Sequence, residues 1–299
     1  MQANKLFDLG EKVALVTGGS RGIGFQMAEA LGEMGAKLAI SARKQSELDA
    51  ASAALQAKNI EVLTVVNDLG SASPSAAESL VSAVLDRYGK IDVLVNNAGT
   101  VWGATAVAHT EEAWRKVMSL NVDACFFVAR EVAQRSMIPN KSGKIINIAS
   151  IAGLGGPRPD GKVFAVAYNT SKGALITLTQ ALATEWGKHN INVNALCPGY
   201  FPTKLSAGLA DSAGEIVKVT PLGRAGGEYD IKGPIVFFAS EASRHVSGQA
   251  LAIDGGGSVV ILNCSSPPGF PVTLALRDQG FQRLCGAAQD FERELLVID

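Results

Sequence analysis

The sequence predicts one doubly wound α/β sheet of about seven parallel strands with helices on both faces. Two observations predict it. Short Val- and Ile-rich runs, most of them apolar on both faces, recur along the chain, as strands covered on either side read. Longer segments with apolar residues at helical spacing lie between them. Strand and helix alternate throughout, which favours one sheet with right-handed crossovers.

In order, the strand runs are VALV (13–16), KLAI (37–40), VLTVV (62–66), IDVLV (91–95), KIINI (144–148), INVNAL (191–196) and ALAI (250–253). The helical spacing is clearest over 25–34, 75–88, 112–137 and 171–188. No linker, repeat or low-complexity block interrupts the alternation before about residue 258, so one domain over 1–258 is expected. The tail, 259–299, breaks the pattern: SSPPGFP (265–271) punctuates it, and a helix-compatible stretch follows from about 277 to 296. An added helix, a subunit contact and a loose end all fit that stretch.

Apolar residues make up 47% of the 299-residue chain, enough for a sizeable core. Twenty-seven basic against 28 acidic side chains leave a net charge of -1, which gives no electrostatic reason to expect nucleic-acid or membrane-surface binding. A small-molecule partner is the expectation. Cys125, Cys197, Cys264 and Cys285 are far apart without CxxC pairing, so neither a disulfide framework nor a zinc site is expected. The N-terminus lacks the basic-then-apolar pattern of a signal peptide, and no apolar run approaches the ~20 residues of a membrane helix. A cytoplasmic protein is the resulting expectation. His109, His189 and His245 are isolated in sequence, and no metal is expected.

The first strand runs into Thr17-Gly18-Gly19-Ser20-Arg21-Gly22-Ile23-Gly24 and then into a helix. A dinucleotide pyrophosphate needs close backbone approach and free N–H donors at a helix N-terminus. Side chains at Gly18, Gly22 or Gly24 would obstruct the turn, the approach or the helix packing. In this strand–turn–helix setting the string marks a nucleotide site that includes Ser20, Arg21 and Ile23. An acidic residue at the end of the second strand would grip a ribose 2′-hydroxyl and repel a 2′-phosphate. KLAISARKQS (37–46) contains none. Arg43 stands there instead, with Arg21 on the same side, and two guanidiniums suit a phosphate dianion. The expected cofactor is NADP(H). Lys44 either adds charge or faces solvent.

TGGSRGIG (17–24), NDL (67–69), NNAG (96–99), SLNV (119–122), NIAS (147–150), YNTSK (168–172) and CPGYFPT (197–203) follow one another in that order. Together they resemble the short-chain dehydrogenase/reductase superfamily in its single-domain Rossmann form, over roughly residues 8–258. NNAGTVWGA and PGYFPTKLS resemble bacterial 3-oxoacyl-thioester reductases and gluconate 5-dehydrogenase-like members in particular.

The resemblance implies a catalytic tetrad of Asn121, Ser150, Tyr168 and Lys172. Tyr168 and Lys172 lie four apart and share a helix face. A phenol titrates near pH 10, and a neighbouring ammonium moves it toward a working range. By similarity, Tyr168 gives its proton to a carbonyl oxygen as hydride reaches carbon, and Ser150 hydrogen-bonds the same oxygen. Lys172 also binds the nicotinamide ribose, and Asn121 sits at a helix break holding a relay water. The resemblance further places Asp68 and Leu69 beside the adenine, and Asn96, Ala98 and Gly99 along the adenosine. Pro198, Gly199, Phe201 and Thr203 hold the nicotinamide, normally for B-face transfer.

Gly18, Arg43, Asp68, Asn96, Ser150 and Pro198 all fall just beyond a predicted strand's carboxyl end, the ligand edge of an open parallel sheet. The spacing from Ser150 to Tyr168 exceeds the family's usual one by about half a dozen residues, a loop that costs little entropy to close. The segment 204–219 reads as a mobile lid over the nicotinamide. Trp102 and Tyr200 line the pocket or pack at the surface. Arg158, Lys162 and Lys204 meet an anionic substrate or are solvated. Helices 112–137 and 171–188 carry surplus apolar surface, and by similarity a dimer or D2 tetramer is expected.

The leading functional expectation is an NADPH-dependent ketone reductase acting on a 3-oxoacyl thioester or similar ketone. A polyol or gluconate 5-dehydrogenase-like enzyme working in oxidation is the second. A catalytically silent dinucleotide-binding sensor is the third.

Overall fold

A computed structural model describes residues 2–156 and 164–260. The tail beyond 260, Cys264, Cys285, Arg158 and Lys162 lie outside the described residues. The seven strands are β1 (Val13–Thr17), β2 (Lys37–Ala42), β3 (Val62–Val66), β4 (Val93–Asn96), β5 (Gly143–Ile148), β6 (Ile191–Pro198) and β7 (Ala250–Ile253). They form one sheet in the order β3-β2-β1-β4-β5-β6-β7, every pair parallel. All seven predicted runs are strands of it.

Alternation along each strand builds two cores. Ala14, Val16, Leu38 and Ile40 face one side, where they meet α1 (Gly22–Glu33), α2 (Gln45–Gln56) and α9 (Lys232–Ala239) through Met27, Leu31, Leu48, Leu55, Ile235 and Phe238. Val13, Leu15, Leu94 and Val193 face the other. There they meet α3 (Pro74–Tyr88), α5 (Ala124–Val132) and α7 (Val166–Trp186) through Leu80, Val84, Val128, Val132 and Leu182. The central strands β1, β4 and β5 are buried on both faces, hence their unbroken apolar character.

The helical spacing over 112–137 predicts one plain helix, but the structure has a composite. Here α4 (Glu111–Met118), α5 and the short α6 (Ile138–Asn140) are joined through wider π turns at Ser119–Asp123 and Ala133–Met137. The chain keeps helical dihedrals through both junctions, so at Asn121 the helix widens without breaking. Single π turns of this kind recur at functional sites. Among the described residues no helix is long and apolar enough to cross a membrane.

One charged cluster sits within the helix layer. The Glu29 carboxylate of α1, 5% exposed, pairs with Lys232 of α9 and, at 2.7 Å, with Lys58; Lys232 also reaches Glu33 at 3.2 Å. Burial pushes the Glu29 carboxyl up, but hydrogen bonds from Lys232 and Lys58 outweigh it and hold it below its ordinary value. A depressed folded value means that the pair stabilises the fold above the unfolded value of 4.5, and that this is lost as pH falls through the folded one. Glu29→Gln is therefore expected to cost about 2 kcal/mol at pH 7, less than the usual ~3–5 for breaking a buried pair because Lys232 keeps Glu33. In thermal melts the gap between variant and wild type should close as pH drops below 4.5. A gap that widened in acid would reject the assignment.

Candidate active site

The cradle is stitched from two turns. Thr17, the last residue of β1, accepts hydrogen bonds on its hydroxyl from the Asn97 and Ala98 N–H groups, both at 3.0 Å, and donates to the Val95 carbonyl. The Asn97 amide donates to the carbonyls of Thr17 (2.9 Å) and Gly18 (3.0 Å). This locks the turn after β1 onto the turn after β4. Gly18 has φ +62°, where a side chain would be strained. A Cβ on Gly24 would lie 2.4 Å from both the Asn97 amide nitrogen and the Gly18 oxygen, so the stitch itself requires glycine there. Arg21, the N-cap residue just before α1, gives no side-chain cap, and the first-turn N–H groups are left for an anion. These features fit a dinucleotide pyrophosphate.

Register places the two arginines on the same edge. Thr17 pairs with Ser41, so the Gly18–Arg21 turn and Arg43 leave neighbouring strands together. Arg43 is exposed and enters no ion pair among the described residues. Arg21 differs: its Nη1 donates to Glu47 Oε1 at 2.8 Å.

Three residues assigned to the adenosine side have their side chains engaged elsewhere. Asn96 is 2% exposed and donates to Asn147 Oδ1 (3.0 Å) and the Cys125 carbonyl (3.3 Å). As the last residue of β4 it follows the strand's alternation into the interior. Leu69 is 6% exposed within the core. Asp68 Oδ1 accepts from the Gly70 N–H at 2.9 Å and so caps its own turn. Any adenosine contact from Asn96 or Leu69 falls to the backbone.

The four predicted tetrad residues gather where β4, β5 and α7 meet. Ser150, 8% exposed, lies two residues past β5; its Oγ accepts from the Ala152 N–H (3.1 Å) and donates to the Pro198 carbonyl (3.5 Å). Tyr168 is half-buried in the first turn of α7. The Lys172 ammonium, 5% exposed, donates to the Ile148 carbonyl at 2.7 Å and sits 5.6 Å from the centre of the Tyr168 ring. Among the described residues it has no carboxylate partner, and two of its three donors remain for a ligand. Asn121 is fully buried in its π turn: Oδ1 accepts from the Thr100 N–H (2.8 Å), and Nδ2 donates to the Thr100 carbonyl and to Ser171 Oγ, both at 3.0 Å. Ser171 Oγ then donates to the Tyr168 carbonyl at 2.8 Å. Gly99 completes the corner, a Cβ there lying 3.3 Å from Asn121 Oδ1 and 3.7 Å from Lys172 Nζ.

Two features set the distance between the Ser150 turn and α7. Asn169 Nδ2 donates to the Ala152 carbonyl at 2.9 Å. A Cβ on Gly153 would stand 2.5 Å from the Lys172 carbonyl carbon and 2.7 Å from the Gly173 nitrogen. Backbone on both sides must then part. Gly153→Ala is expected to lower kcat/KM about 100-fold, the usual cost of misplacing reacting groups by ~1 Å. Steady-state kinetics checks it, and near-normal turnover would reject the spacer role. Thr17, Asn97 and Ser171 lie inside quoted motifs, so their position there was the available signal. Asn169 likewise lies inside YNTSK, whereas for Gly153 no pattern in the chain announces the contact.

The segment expected as a lid, 204–219, holds a 3-10 turn at Ala207–Ser212 and α8 (Ala213–Lys218). Pro198 ends β6, and a Cβ on Gly199 would meet Asp254 Cβ at 2.7 Å. The Phe201 ring is buried against Gly226, while Thr203 lies 3.6 Å from where a Gly22 Cβ would stand, so the segment that follows starts beside the cradle. A cavity of ≈ 470 Å³ lies between Tyr200, α8 and the segment Asp254 to Gly256. Trp102 is 43% exposed, with the Lys116 ammonium 5.4 Å over its ring. Cys125 and Cys197 are buried free thiols, pushed up to about 11 by burial.

Residues 12–214 match the family model of the short chain dehydrogenases. The chain is 38% identical to gluconate 5-dehydrogenase of Gluconobacter oxydans (strain 621H) over 258 residues, 85% of this chain and 97% of that one. It is 37% identical to 3-oxoacyl-[acyl-carrier-protein] reductase of Chlamydia muridarum, covering 82% of this chain and 96% of that one. A solved gluconate 5-dehydrogenase of Burkholderia cenocepacia J2315, in complex with NADP and tartrate, superposes with a TM-score of 0.80. It is 33% identical and covers 87% of this chain and 100% of that one.

Proposed function

The chain belongs to the short-chain dehydrogenase family, oxidoreductases acting on CH–OH and C=O groups, and from that premise we propose that it is an NADPH-dependent reductase of a ketone carried on an acyl thioester. One observation carries the reaction: a buried ammonium with no carboxylate partner among the described residues, Lys172, lies 5.6 Å from the centre of the Tyr168 ring in the corner that also holds Ser150.

A nicotinamide held in this cleft would supply the hydride for the carbonyl carbon; the chain's own residues handle the proton and the oxygen. Tyr168 donates its phenolic proton to the carbonyl oxygen, and Lys172 stabilises the negative charge left on the phenol. Ser150 donates a hydrogen bond to the same oxygen as its charge grows. Asn121 fixes the Thr100 turn and, through Ser171, the Tyr168 backbone, so that the acid keeps its place. The first turn of α1 receives the pyrophosphate and Arg43 the 2′-phosphate. The NADP complex described for the Burkholderia neighbour supports that choice of cofactor.

The substrate class rests on the segments at the carboxyl ends of β4, β5 and β6. Val101, Trp102, Leu154, Phe164 and Leu205 lie there with 36–47% exposure, an apolar surround suited to an acyl chain. A sugar-acid reading has its own support in the gluconate enzymes among the relatives. Turnover of acetoacetyl thioester with NADPH is compared with turnover of 5-keto-gluconate. Brisk thioester reduction supports the first reading; brisk sugar-acid chemistry without thioester turnover replaces it with the second.

A further inference from the structure

Arg21 is already partnered. Its Nη1 lies 2.8 Å from Glu47 Oε1, in the first turn of α2, and the Lys44 ammonium lies 4.0 Å from the same oxygen. Neither side chain is deeply buried, with 49% of Arg21 and 27% of Glu47 exposed. Arg43, on the same edge, has no such partner among the described residues. Arg21, Lys44 and Glu47 thus form a cluster just past the end of β2, with Arg43 next to Lys44 in the chain and no acidic residue at the strand terminus itself.

We propose that Glu47 is an internal counter-ion that narrows the preference for NADPH over NADH by occupying Arg21. The inference rests on the cofactor reading above. A 2′-phosphate dianion gains the Arg21 guanidinium only by drawing it from Glu47, and the Glu47 charge also repels the phosphate. A dinucleotide with a free 2′-hydroxyl has no use for Arg21 and meets no such opposition. Glu47 acts on discrimination, through Arg21, and touches no reacting atom.

Exposed ion pairs of this kind shift an equilibrium by about twofold to fivefold. Glu47→Gln is therefore expected to tighten NADPH by about twofold to fivefold and to leave NADH unchanged. The full-length protein is titrated with both cofactors by fluorescence. Calorimetry with adenosine 2′,5′-bisphosphate and adenosine 5′-monophosphate isolates the phosphate without any turnover. The bisphosphate should tighten with NADPH, and the monophosphate should not move. In an Arg21→Ala background the gain should shrink markedly, and it should also shrink at high salt.

Weaker NADPH binding by Glu47→Gln would mean that the carboxylate orients Arg21 for the phosphate, and would overturn the proposal. So would an unchanged ratio of the two affinities, or a full gain without Arg21. Wild-type protein that favours NADH defeats the cofactor reading on its own. The Glu47 proposal is judged separately, on the change in ratio that the substitution causes.

Discussion

Tyr168→Phe is expected to lower turnover by about 10²–10⁴-fold, the range for loss of a positioned general acid, while NADPH affinity stays within about twofold of wild type. The substitution removes one oxygen and leaves the ring, so α7 should keep its packing. Ala167, Ser171 and Lys172 flank the site as buried residues and do not depend on the phenol hydroxyl. The Lys172 ammonium is held by the Ile148 carbonyl, so it should keep its position and its unused donors in the variant. Steady-state kinetics gives the turnover and fluorescence titration the affinity. Turnover within about tenfold of wild type would remove Tyr168 from the role of acid. Loss of NADPH binding in step with turnover would point to a collapsed cleft.

The same corner marks where sequence reasoning reaches its limit. Seven apolar runs mark the seven strands because the central ones are covered on both faces, and burial on both faces leaves no polar alternation to confuse them. The order of the strands then brings motifs from the whole chain to one edge. The direction of individual side chains is another matter. Asn96 and Asn97 are adjacent asparagines in one motif, yet one is spent inside on Asn147 and the other stitches the cradle. Nothing in NNAG distinguishes them; the pleat at the end of β4 does.

Helices were unequally legible for a similar reason. In α2 the buried stripe is only Leu48, Ala51 and Leu55, a pattern too sparse to stand out from the sequence. The eight residues of α9 begin Lys-Gly-Pro, which reads as a turn until Glu29 and the α1 face are seen to hold it. The π turn at Asn121 leaves the apolar spacing nearly intact, so periodicity alone predicts a regular helix. The Arg21–Glu47 pair joins residues 26 apart through the β1–β2 register, and no local pattern carries it.

That pairing determines what Arg43 should do. If Arg21 is partly neutralised by Glu47, Arg43 is the cation on the β1–β2 edge with no competing carboxylate among the described residues. Arg43→Ala is then expected to weaken NADPH by about 10- to 100-fold, since a charge-assisted hydrogen bond contributes about 1.5–3 kcal/mol. NADH should change by no more than about twofold, because a ribose hydroxyl recruits no guanidinium charge. The side chain is exposed and makes no hydrogen bond or ion pair among the described residues, so its removal should leave the melting temperature in place. Fluorescence titration with both cofactors at low and high salt reads the difference, which should narrow as salt screens the phosphate contact. An equal loss for both cofactors would reject the 2′-phosphate role, whatever becomes of the tetrad.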